Sequence, residues 1–189
     1  EMARILDGFQ RELREPNATF NVGVVAGGTP AAIDAEGFSV SASGKTNIVA
    51  ETAIARGDLR TLTGEQDDRV RAGMQAIVAG HLPQTGATLE FAEGGYPPMA
   101  PTEGNRALLA RLNTVNRDLG LPQMAEFDPG RRGAADSGFV AGDVDTLGGL
   151  GVAGGGAHAD GEWVDLDSLP RQALRAAVLV SRLSLDISR

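Results

Sequence analysis

The sequence predicts a mixed α/β fold in two regions, on three observations. Apolar residues recur at helical spacing in four segments, runs rich in β-branched residues lie among them, and a proline- and glycine-rich stretch interrupts the pattern near mid-chain.

Taken in order, Met2, Ile5, Leu6, Phe9 and Leu13 fall on one face of a helix that has no visible N-terminal cap. "ATFNVGVVAGG" (18–28) and "NIVAETAIARGDLRTL" (47–62) are β-branched and partly alternating, the pattern of strands with one covered face. Residues 29–46 between them are small, polar and loop-like, with a short strand at "GFSVSA". Val70, Met74, Ile77 and Val78 mark a helix over 64–80, and "GATLEF" (86–91) is a further strand, so the first region runs α-β-β-α-β. "EGGYPPMAPTEGN" (93–105), with three prolines and three glycines, ends that pattern and marks a domain crossing. Beyond it, Leu108, Leu112, Val115 and Leu119 form a helical stripe closed by Gly120 and Pro122. Leu169, Ala173, Ala176, Val180 and Leu183 form another, starting at Asp167 or Ser168. Two cores are therefore expected: Val22, Val24, Ile54, Val70, Met74, Ile77 and Leu89 in one, and Leu108, Leu112, Leu147, Leu169, Ala173 and Val180 in the other.

Composition narrows the function classes. With 189 residues, 42% of them hydrophobic, the chain can bury the core of one large or two small domains. A formal net charge of −8 without any dense Lys/Arg cluster argues against nucleic acid as a partner. The absence of cysteine removes disulfides and thiolate sites, so a metal would have to be held by His, Asp and Glu. No apolar run approaches the roughly 20 residues that span a bilayer, and no membrane partner is expected. The start, Glu1-Met2-Ala3-Arg4, shows neither a signal-peptide pattern nor an initiator methionine, which suggests an internal piece of something longer and leaves the compartment open.

Two glycine motifs fail as nucleotide sites. "SASGKT" (41–46) ends like a P-loop, but Ser39 stands where the first glycine is required, and strand-like sequence follows in place of a helix. "GLGVAG" (149–154) matches G-x-G-x-x-G, yet more glycine and an acidic loop intervene before the next helix. That loop, "GGGAHADGEWVDLDSLP" (154–170), carries His158 between three glycines and several carboxylates. A neutral imidazole there, with glycines letting the backbone approach an ion, suits a transition-metal ligand. A solvated loop histidine among carboxylates fits the local sequence as well, because no second ligand stands at metal-site spacing.

"NIVAETAIARGDLRTLT", "YPPMAPTEGNRALLARLNTVNRDLG", "DPGRRGAADSGFVA" and "GGLGVAGGGAHADGEWVDLDSLPRQALRAAVLVSRL", taken together, resemble the later half of a zinc-dependent aminoacylase/carboxypeptidase. They are most similar to the glutamate carboxypeptidase branch. The resemblance implies a ferredoxin-like α/β lid over residues 1–95, lacking its first strand and forming a homodimer contact, followed by the C-terminal part of an α/β catalytic domain over 96–189. It implies two zinc ions in the complete enzyme, with His158 as the one ligand supplied here. Arg60 in "ARGDLR" matches a lid arginine on the substrate carboxylate, and Asn47 matches a neighbouring polar group holding the same end. Gly133 and Asp136 in "RRGAADSG" match a segment beside the substrate, although Asp136 equally suits a helix cap, and Ala135 stands where some relatives have a hydroxyl. Arg131 and Arg132 would orient that loop through ion pairs, and His81 suits a helix-end cation. The family's other metal ligands and its general base lie before the lid and have no counterpart in this sequence, so the chain alone is expected to be inactive. The implied substrate is a small N-acyl amino acid or dipeptide-like amide with a free carboxylate. A noncatalytic dimerisation or scaffold module is the alternative.

Overall fold

In the computed structural model, which describes residues 1–37 and 39–187, the chain divides into two units, Glu1–Pro98 and Met99–Arg189. The first is built on a helix pair. Helix α1 (Met2–Glu12) turns Ile5 and Phe9 inward, and α2 (Gly64–Ala79) meets them with Val70, Met74 and Val78. Close approach depends on glycine: a Cβ at Gly8 would lie 2.9 Å from Cγ2 of Ile77, and one at Gly73 would lie 2.5 Å from Cδ2 of Leu13.

Local polar groups fix the ends of α2. The Thr63 hydroxyl accepts the Gln66 N–H at 3.1 Å, and the Gln66 side chain accepts the Leu62 N–H at 2.9 Å, so orphan donors at the helix start are satisfied from both sides. At the other end Arg4 donates to the carbonyls of Ile77 and Gly80, two acceptors that the helix itself leaves open. Glu1 holds Arg4 at 2.6 Å and also accepts from the Leu82 N–H and the Thr85 hydroxyl, each at 3.1 Å.

These bonds pull the Glu1 carboxyl down to about 2, with Arg4 the largest cause and Leu82 the next. Glu15 is likewise lowered, first by Arg69 and then by Gln66. Both groups bind protons more weakly folded than unfolded. Their contribution is therefore present above the ordinary glutamate pKa of about 4.3 and is lost as the pH falls below it, for Glu1 on the way down to about 2. Denaturant midpoints of the first unit should decline from pH 6 to pH 3, and the decline should flatten in an E1Q/E15Q variant. An unchanged slope would assign the acid sensitivity to other groups.

Strand β1 (Thr19–Gly28) pairs antiparallel with β4 (Thr52–Arg60), Thr19 opposite Arg60 and Gly28 opposite Thr52, with a bulge between Val22 and Val24. Phe20 and Leu59 pack on the helix pair. The bulge resets the alternation in β1, so Val24 is exposed although it is two positions from Val22, which is half-buried. Ile54 is an odd number of residues from Leu59 on an unbulged strand and lies on the face away from that core. Strands β2 (Ala31–Ile33) and β3 (Val40–Ala42) form a separate hairpin, of which only β3 is visible in the sequence pattern. Phe38, within the expected "GFSVSA" strand, lies outside the described residues.

Residues 86–91 do not form a strand. Leu89 and Phe91 pack against the core, and the Arg71 guanidinium sits 4.5 Å over the Phe91 ring. Alternation predicted correctly which side chains turn inward, but it carries no information on whether a ladder partner exists. The ferredoxin-like order thus lacks its last expected strand, and the described sheets are three two-stranded antiparallel pairs. The coarse α/β character holds: helices combined with small antiparallel sheets.

The second unit packs α3 (Glu103–Asp118) against α4 (Ser168–Ile187). The Thr102 hydroxyl caps α3 by accepting the Asn105 N–H at 3.0 Å. Gly120, at φ +68°, closes it: the Leu121 N–H bonds the Asn116 carbonyl at 2.7 Å and the Gly120 N–H bonds the Arg117 carbonyl at 3.2 Å, a Schellman arrangement. Leu112, Val115 and Leu179 are the buried centre, with Leu147 and Leu183 packed around it and Leu108 half-buried. Helix α4 does not bury the expected stripe: Leu169 is 56% exposed and Val180 is 61% exposed, and Ala173 also faces out. Its inward residues are Ser168, Arg175 and Leu179. Apolar residues cover most of the circumference of α4, so periodicity alone could not choose between two nearly equal stripes.

Candidate functional site

His158 sits in the loop of the smallest hairpin, between β5 (Gly154–Gly155) and β6 (Trp163–Val164). Its backbone has φ +66°, a conformation that histidine enters more readily than most residues, and its N–H donates to Glu162 Oε2 at 3.4 Å. Among the described residues its ring nitrogens have no partner, and the side chain is exposed. Glu162 thus braces the turn through the backbone and does not orient the ring.

The three glycines before His158 serve the hairpin itself. A Cβ on Gly154 would meet the Trp163 carbonyl oxygen at 2.5 Å, one on Gly155 would meet the Trp163 indole at 2.9 Å, and Gly156 has φ +70°. Backbone pairing with Trp163 therefore accounts for residue types that the sequence had suggested leave room for metal. Ser168 ties this hairpin to α4: its hydroxyl accepts the Ala153 N–H at 2.8 Å and donates to the Asp165 carbonyl.

A zinc site needs about three protein ligands with an open position. Among the described residues no three His, Cys, Asp or Glu side chains converge, so His158 fits as a single ligand and the residues present do not assemble a metal centre.

In the first unit Arg60 ends β4. Its Nε donates to Asp58 Oδ2 at 2.9 Å, and its side chain is 50% exposed. This leaves the two terminal amino groups of the fork, which suit a carboxylate's two oxygens, free to act. Asn47 lies in an exposed turn beyond the other end of β4, near the Lys45–Ile48 backbone bond and the contact of the Glu51 N–H with the Thr29 hydroxyl. Strand β4 alone spans about 26 Å at 3.3 Å per residue, so Arg60 and Asn47 flank it and are not brought together within the unit.

Gly133 and Asp136 share one loop of the second unit. Nothing lies within 4 Å of a Cβ built on Gly133, so no described neighbour requires glycine there. Asp136 opens the short 3-10 helix Asp136–Phe139 as its first residue, while Ala135 holds the cap position, so Asp136 is not the N-cap. The loop is held by the Arg132 guanidinium on the Pro129 carbonyl at 2.6 Å and by Arg131 stacked 5.7 Å over Phe127. His81 lies just past the α2 cap, with Nδ1 3.2 Å from the Leu82 carbonyl oxygen. Neither "SASGKT" nor "GLGVAG" leads directly into a helix.

Sequence reasoning missed a polar cluster between α3 and α4. The Asn113 side chain clamps Met124, accepting its N–H and donating to its carbonyl at 2.8 Å each, and Arg175 Nη1 contacts the Met124 sulfur at 3.1 Å. The signal was a pair of asparagines, Asn113 and Asn116, on the inward side of an otherwise apolar stripe.

The chain combines helices with small antiparallel sheets and carries an exposed histidine on a glycine-built turn. A family model for peptidase family M20/M25/M40 matches residues 4–181, and the chain belongs to that family. Membership places it with the peptidases, hydrolases of amide bonds that in this family generally use zinc. No curated protein and no solved structure matches the chain.

Proposed function

We propose that the chain serves a binuclear zinc hydrolase that cleaves the amide bond of small N-acyl amino acids or dipeptide-like substrates with a free carboxylate. The observation that carries this reading is the family match across residues 4–181, which includes both Arg60 and His158. His158 is one metal ligand; the others must come from residues that this chain does not bring together. When bound, zinc supplies a polarised carbonyl and an activated water. Arg60 takes the substrate carboxylate with its terminal amino groups, and Asp58 fixes the guanidinium from behind. Asn47, which lies beyond the other end of β4, is a second polar contact for the substrate. Gly133 and Asp136 lie beside the substrate, and a lid over residues 1–95 forms a homodimer. By itself the chain is inactive.

The test uses the natural polypeptide that contains this sequence, assayed on N-acetyl amino acids and dipeptides before and after removal of metal with 1,10-phenanthroline. Hydrolysis that is lost with the chelator and restored by zinc is expected. Absence of hydrolysis across the panel with zinc present would favour the scaffold alternative.

A further inference from the structure

Arg175 is only 6% exposed, projects from the inward side of α4, and has two donors, Nε and Nη2, that are buried and without a partner among the described residues. Its one hydrogen-bond partner among the described residues, the Met124 sulfur against Nη1, is a weak acceptor. Charged residues are almost never buried unless paired, because an unpaired guanidinium loses hydration without recompense. Four acids of the second unit are engaged with other arginines: Asp165 with Arg171, Asp118 with Arg182, and Glu126 and Glu103 with Arg106. The guanidinium is also held in place, since Met124 is clamped by Asn113, and Asn116 bonds Asn113 in turn at 3.2 Å. Asn116 Oδ1 is a further buried atom without a partner among the described residues. On a planar guanidinium Nε–H and one Nη2–H point the same way, so the two unpartnered donors form a single edge with the spacing of a carboxylate's oxygens.

We propose that Arg175 is the receptor of a buried anion site between α3 and α4, which takes a carboxylate side-on through Nε and Nη2. Because that edge is buried, the ligand is a small carboxylate or the tip of an Asp or Glu side chain from another polypeptide segment. The site is separate from the residues assigned to hydrolysis and does not rest on that assignment.

The experiment follows thermal unfolding of the full chain in sodium acetate, sodium chloride and acetamide, at matched ionic strength where salts are compared, and with the blocked tripeptide Ac-Ala-Glu-Ala-NH2. Wild type should show a rise in Tm that grows with the logarithm of ligand concentration and reaches roughly 3–6 °C at a tenfold excess over Kd. Chloride and acetamide should not reproduce it. R175M should lose the response and melt above wild type in chloride, since the unpaired charge is gone. R175K, which keeps the charge but not the two-donor edge, should lose most of the response even if R175M fails to fold. A shift with acetate identifies a free small carboxylate as sufficient, and a shift with the peptide alone identifies a side chain. No shift with either, an equal shift with chloride, or an equal acetate shift in R175K and wild type would overturn the proposal.

Discussion

Replacing His158 by alanine in the natural polypeptide should lower amide-hydrolase turnover at least a hundredfold, about the upper end of what loss of an outer-shell metal partner costs. The side chain contributes little else. It is exposed at a hairpin turn, its ring has no partner among the described residues, and the turn is braced through its backbone N–H by Glu162. The φ of +66° is the one structural demand at this position, and alanine meets it less well than histidine. His158→Asn removes that ambiguity, because asparagine enters the left-handed region readily. Both variants should lose activity together while the asparagine variant keeps the wild-type unfolding midpoint. Full activity in either would mean that His158 is a solvated loop residue.

The next largest effect is expected at Arg60. Arg60→Ala should reduce kcat/KM for carboxylate-bearing substrates by roughly 2–4 kcal/mol, about 30- to 1,000-fold, if substrate binding desolvates the ion pair. In the free protein the guanidinium is half exposed and shared with Asp58, a pair that contributes little to stability. The variant should therefore fold normally. The discriminating readout is the same substrate with its carboxylate amidated: wild type should already be slow on it, and Arg60→Ala should slow it little further. Equal losses on both substrates would show that Arg60 acts through the fold of β1 and β4.

Much of the fold was legible because local chemistry decides it. Helix α2 starts at a threonine that accepts a backbone N–H from within its first turn, and α3 ends at a glycine with positive φ; both signals are written in residue type at fixed offsets. The errors arise where the deciding partner is distant in sequence. Residues 86–91 have a strand's alternation without a strand to pair with, and Val24 is turned outward by a bulge. Helix α4 has two apolar stripes, and contact with α3 selects the one that also buries Arg175. At the candidate site, the position of His158 on a glycine-rich turn was legible. That Gly154 and Gly155 make room for Trp163, the first for its carbonyl and the second for its indole, was not, because Trp163 lies eight or nine residues further along the chain.

The most direct test of the hydrolase reading is the zinc content of the purified natural polypeptide after exhaustive dialysis, measured beside its His158→Asn variant. If His158 is a ligand, wild type retains tightly held zinc and the variant retains one equivalent less per subunit, with matching loss of turnover. Equal zinc and equal turnover in the two proteins would contradict it.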